Sequence, residues 1–364
     1  NLYAWSSTSG SLSLSAAAGG VTLGNDGSLA AGSSVSVDAF GSMGNNVSVA
    51  ATSGDLDLGS TTGDWTLGTT AVLSSGGKLE FAFPSGSITV GASFGMTSGG
   101  DLVVGAATGT VQLGATGSMV SGDDLTMSTT TSTIGNNWTA TAAATIDLDS
   151  TTTTVGQGAM LQAGTSLSVD STTGALTFGV EAHAKSGTTM SLVATSGALS
   201  VGADALLNAT TSLSLTTASG AMSLGDTGTL KAGSGNLDLT TASGSLTIGD
   251  SLTATSGGNT GVAVQSGAVT IGSTCSWTAS GDTSFTLGSG NLVVGNTWTL
   301  STTNYTLSSA SGAVTVGTDL AWAASGNLVL WLSSGALSVG NGFAATAGLN
   351  LKVQAPSGGS TLGN

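Results

Sequence analysis

The chain has no arginine, two prolines, one cysteine (Cys275) and one histidine (His183) among its 364 residues. Charged residues make up 6%, where a globular chain usually carries about 25%. Each shortage excludes something. Four lysines (Lys78, Lys185, Lys231, Lys352) stand against 19 acids, for a net charge of −15. Nucleic acid is therefore not an expected partner, because phosphate neutralisation needs a basic stripe. A single cysteine rules out a disulfide framework. With one imidazole, Cys275 has only His183 as a partner for nucleophilic chemistry. Cys275 therefore reads as a small packing or surface residue and His183 as a surface loop residue. No apolar run approaches the roughly 18 residues of a membrane helix, so membrane insertion is not expected. The sequence opens at Asn1 with neither Met nor a signal segment, as a processed product or a window cut from a longer chain would.

What the sequence does have is a repeat. Ala313-Val-Thr-Val-Gly317 follows a plan of small, apolar, hydroxyl, apolar, glycine, and its closing glycine recurs sixteen times from Gly24 to Gly363, at intervals of 20 to 24 residues. That period belongs to solenoids. Glycine (59 residues), Ser and Thr dominate, yet hydrophobic residues still reach 39% at regular places, which a disordered chain would lack.

Between one anchor glycine and the next, apolar residues come in pairs spaced by two. Trp298 and Leu300, Tyr305 and Leu307, and Val314 and Val316 form one such set. After Gly340 the corresponding residues are Phe343, Leu349 and Leu351. Spacing by two within runs of four to six residues fits a half-buried strand and fails the helical period. The pattern predicts an all-β, parallel β-solenoid with three short strands per turn, about 23 residues per turn and about 15–16 turns. Parallel crossovers favour a right-handed coil. At about 4.8 Å per rung the stack would be roughly 70 to 80 Å long. Residues 1–364 read as one continuous domain. Ser-Gly, Gly-Asn and Ala-Gly pairs between runs predict corners where glycine adopts positive φ.

Three repeats, Ser196-Gly-Ala-Leu-Ser-Val-Gly202, Ser219-Gly-Ala-Met-Ser-Leu-Gly225 and Ser266-Gly-Ala-Val-Thr-Ile-Gly272, resemble the hemagglutinin repeats of filamentous-hemagglutinin-like bacterial exoproteins exported by two-partner secretion. The resemblance covers essentially the whole chain. It implies a secreted, extracellular rod at a bacterial cell surface: the structural shaft of an adhesin, without catalytic residues, for which a cell-surface glycan is the implied ligand.

Candidate chemistry is confined to the acids. Asp57 and Glu80 are 23 residues apart, and Asp149 and Asp170 are 21 apart, so each pair should occupy adjacent rungs of one face. Like charges so placed repel unless screened. Solvated surface acids are the simpler reading. A bound Ca2+ ion is the functional one, with Asp55, Asp57 and Glu80 as one set and Asp147, Asp149 and Asp170 as the other. No other cofactor is expected. Trp65, Trp138, Trp277, Trp298 and Trp322 occupy inward positions, whereas Trp331, following inward Leu330, should point outward. The residue two before each anchor glycine is nearly always Thr or Ser, which predicts a flat, uncharged face suited to lateral packing of rods. Ice binding and a polysaccharide-active enzyme are the alternatives from other classes.

Neither end reads as capped. The pattern is entered at once by Leu2 and Trp5, and it stops at Ser360-Thr-Leu-Gly363-Asn364. Asn364 joined to Asn1 would reproduce the run Gly135-Asn136-Asn137-Trp138. This predicts copies stacked head to tail, or a longer chain.

Overall fold

A computed structural model describes residues 3–16, 19–59, 63–357 and 359–363. Asn1, Leu2 and Asn364, on which the expected joint was drawn, lie outside the described residues. The chain divides into two compact units, residues 1–170 and 171–364. Each is a parallel β-solenoid, and together they make about 15 turns of about 23 residues, with no helix among the described residues.

One turn of the second unit shows the plan. A first strand, Thr299–Thr302, is followed by a second, Tyr305–Ser309, and a third, Val314–Val316. Each lies parallel to its counterpart one turn on, with Leu300 against Trp322, Tyr305 against Leu328 and Val316 against Val339. Stacked rungs thus form three faces around a core. Leu328 and Tyr305 are 0% exposed and Val316 3%, and burial contributes about 1.5 to 3 kcal/mol for each such aliphatic side chain. An isolated turn buries too little to offset the entropy of ordering a Gly/Ser-rich chain.

Corners differ in how they turn. Between the second and third strands, Gly312 has φ +110°, and a Cβ there would lie 2.0 Å from the Gly290 carbonyl oxygen, so only glycine fits. At the anchor glycines the reason is different. Gly317 has no positive φ, but a Cβ on it would stand 2.6 Å from the Gly295 carbonyl oxygen of the preceding rung. Close stacking, rather than backbone conformation, demands glycine there. The positive φ at this corner falls two residues later, on Asp319 (58°), as it does on Thr297 (56°) one turn earlier. Asn and Asp tolerate that conformation best among residues with a side chain.

Hydroxyls close the corner between the first and second strands from inside. Thr302 Oγ1 donates to the Gly281 carbonyl at 2.9 Å, and Ser98 Oγ donates to the Gly77 carbonyl at 2.7 Å. Their burial turns strand-end Ser and Thr residues, polar by type, into part of the interior.

Two departures from the sequence reading have local causes. In the first unit, Leu102–Leu113, Leu125–Ile134 and Ile146–Val155 each run through the second and third faces as one strand. The two later ones have no Ser-Gly corner, and β-branched stretches such as Thr151 to Val155 favour extended backbone. The earlier one keeps Gly109 but shifts register between Ala106 and Thr110. The second departure is Leu349. It follows the column of Gly326 at a corner and is 73% exposed, while Leu351 and Val353 occupy the strand positions opposite Leu328 and Leu330. A pair spaced by two does not reveal which of its members is already past the corner.

The five expected inward tryptophans are buried, each at 2% exposure or less. In the second unit three of them build an aromatic stack. Trp277 and Trp298 centroids are 5.9 Å apart, Trp298 and Trp322 5.3 Å, and Tyr305 and Trp322 5.0 Å, mostly edge to face. Trp298 sits at the corner ahead of the strand rather than within it.

Candidate functional site

Along the described faces the outward side chains are open to partners, and they line up in columns. On the third face the expected hydroxyl column is present: Thr66 lies against Thr89, Thr133 against Thr154, Ser200 against Ser223 and Thr247 against Thr270. Gln112 and Val293 interrupt it. Outward residues of stacked parallel strands repeat at about 4.8 Å, so this column is a regular, uncharged row of mostly hydroxyls.

The first acid set is on the second face of the first unit. Asp57 and Glu80 lie side by side in register, as their spacing required. Lys78, not part of the expected set, places its Nζ 2.6 Å from Glu80 Oε2. Burial raises the Asp57 carboxyl above its ordinary range, and the charges of Glu80 and Asp55 add to this while Lys78 opposes it. Asp55 is not on this face: its Oδ1 accepts the Lys78 backbone N–H at 2.8 Å, at the corner.

The second set behaves similarly. Asp147 lies against Thr126 and Asp149 against Ser128. Burial, then the charges of Asp170 and Asp149, raises Asp147. Asp170 is also raised, by burial first and by Asp149, against the lowering effect of the Ser168 hydroxyl 3.2 Å from its Oδ2.

A third group escaped the sequence reading. Asp101, Asp123 and Asp124 bring one carboxylate oxygen each within 4.8 Å of one another. The 23-residue spacing of Asp101 and Asp124 was the available signal. Asp124 Oδ1 already accepts the Thr145 backbone N–H at 2.9 Å, which assigns it to the corner.

His183 is exposed on the first face, in register with Leu206. Cys275 is 0% exposed, and its thiol, pushed up by burial, faces the Gly249 carbonyl at 3.2 Å. Four rungs separate the two, about 19 Å, so they form no catalytic pair. Trp331 points outward at 37% exposure, with Lys352 Nζ 5.1 Å from its ring centroid. A depression of about 340 Å3 opens on the first unit's second face, lined among others by Glu80, Ala82, Pro84, Gly105 and Ser128.

In comparisons with protein-family models, curated proteins and solved structures, nothing matches this chain.

Proposed function

We propose that this chain is a structural, adhesive β-solenoid shaft of a secreted bacterial surface fibre. In this reading it is extended head to tail by copies of itself or by more of the same chain, and it carries no catalytic site. The parallel β-solenoid fits such a shaft, and the resemblance of its repeats to hemagglutinin repeats supplies the extracellular setting.

One observation carries the reading. In the last described rung, Leu351, Val353 and Leu362 continue the inward columns of Leu328, Leu330 and Val339, yet they are 55%, 51% and 70% exposed. At the first described rung Trp5, in the column of Leu29, is 51% exposed. Among the described residues no strand lies beyond these two rungs, and a further rung would cover their apolar side chains and strand edges. Burying each side chain would contribute about 1.5 to 3 kcal/mol.

Sedimentation and electron microscopy of the purified chain at rising concentration test the reading. Fibres that disappear in Trp5→Asp and Leu351→Asp variants are expected. Discrete particles at all concentrations, or fibres indifferent to both charges, would count against assembly through these faces.

A further inference from the structure

The basic side chains of this acidic chain are not scattered. His183, Lys185 and Lys231, three of its five basic side chains, stand on the first face of the second unit within three successive strands, His183–Ser186, Leu206–Ala209 and Thr229–Ala232. Register places Lys185 against Asn208 and Asn208 against Lys231. The two lysines thus share one outward column, about 10 Å apart, with a carboxamide between them. His183 begins the neighbouring column, which continues through Leu206 to Thr229.

This face has no acid of its own among the described residues. Its two outward columns continue as Thr253 and Thr255, Ser276 and Thr278, then Thr299 and Ser301, hydroxyls throughout. Further on they carry alanines and Thr346. Lys78 is in ion-pair contact with a carboxylate, but no such pair involves Lys185 or Lys231 among the described residues. Asp204, Asp226 and Glu181 lie at the adjoining corner, just ahead of these strands. Asp204 accepts the Thr227 hydroxyl and Asp226 accepts the Asp250 backbone N–H, while Glu181 is exposed there.

We infer that this face binds an extended acidic polysaccharide lying along the stack, its carboxylate or sulfate groups on Lys185, Lys231 and His183 and its hydroxyls on the Ser/Thr columns. Charge complementarity selects the anionic polymer, and regular hydroxyls match a ligand whose own surface is hydroxyls. Nucleic acid fits less well. It draws affinity from stacking on aromatic side chains, and on this face Trp277 and Trp322 point inward. The inference rests on the shaft reading only in taking the outward faces as contact surfaces.

The test uses the purified chain, as single molecules and as any fibre it forms, with immobilised polygalacturonate, dextran sulfate, neutral dextran and single-stranded poly-dT. One or both acidic glycans should bind, the pair of probes separating carboxylate from sulfate recognition. Binding should weaken as salt rises and fall about tenfold or more in Lys185→Glu/Lys231→Glu. Lys185→Gln/Lys231→Gln, with an unchanged melting curve, guards against loss through unfolding. Equal binding to neutral dextran, equal or tighter binding to poly-dT, or no loss in either double variant would overturn the inference. Loss of assembly with glycan binding intact would defeat only the shaft reading.

Discussion

Asn296 reaches one rung forward: its Oδ1 accepts the backbone N–H of Thr318 at 2.8 Å and the Thr318 hydroxyl at 3.2 Å. The same link joins Asn45 to Thr69 and Asp250 to Ser273. The corner N–H groups of Gly317 and Asp319 reach backbone carbonyls of adjacent rungs, whereas that of Thr318 between them takes the side-chain oxygen of Asn296. Asn296→Ala should therefore cost about 0.5 to 1.5 kcal/mol by removing this exposed hydrogen bond. Chemical denaturation measures it, and hydrogen exchange at Thr318 should quicken with it.

The core columns bear most of the stability. Leu328 is 0% exposed between Tyr305 and Leu351. Leu328→Ala should cost about 2 to 5 kcal/mol. Leu328→Asp, which buries a charge with no partner, should exceed about 4 kcal/mol. An aspartate variant melting with the parent would show that this column faces water.

The Tyr305 hydroxyl is buried and has no hydrogen-bond partner among the described residues, and burial pushes its ionisation far above the ordinary tyrosine range. Removing a group whose desolvation is uncompensated should stabilise the fold. Tyr305→Phe is expected to gain about 1 kcal/mol, read from urea or guanidinium midpoints. A loss of stability would reveal a partner for the hydroxyl.

Asp57, Asp147, Asp170 and Asp238 all have carboxyls raised chiefly by burial. Each binds its proton more tightly in the folded chain than in the unfolded one. Their contribution is therefore fully present below the ordinary aspartate value of about 3.9 and is lost as pH rises through the raised folded values. Thermal melts should show Asp147→Asn and Asp170→Asn variants losing less stability than the parent between pH 3 and pH 7. Calcium shared by Asp149 and Asp170 would instead raise the parent's melting temperature at neutral pH, and Asp170→Asn would abolish that rise.

The repeat of the anchor glycine and the spacing of apolar pairs by two were enough, in the sequence alone, to define a three-faced parallel β-solenoid and to point Trp298 inward and Trp331 outward. They suffice because both properties are local: alternation along a strand and a constant turn length are written in consecutive residues. The anchor glycines were legible as positions but not as causes, since what forbids a Cβ at Gly317 is the backbone of Gly295 in the rung before. The meeting of Asp101 with Asp123 and Asp124 and the alignment of Lys185 with Lys231 depended on the tertiary structure for the same reason. Turn length varies by a few residues, so only the realised stacking decides which outward side chains share a column and which charges meet across rungs, as Asp57 meets Glu80.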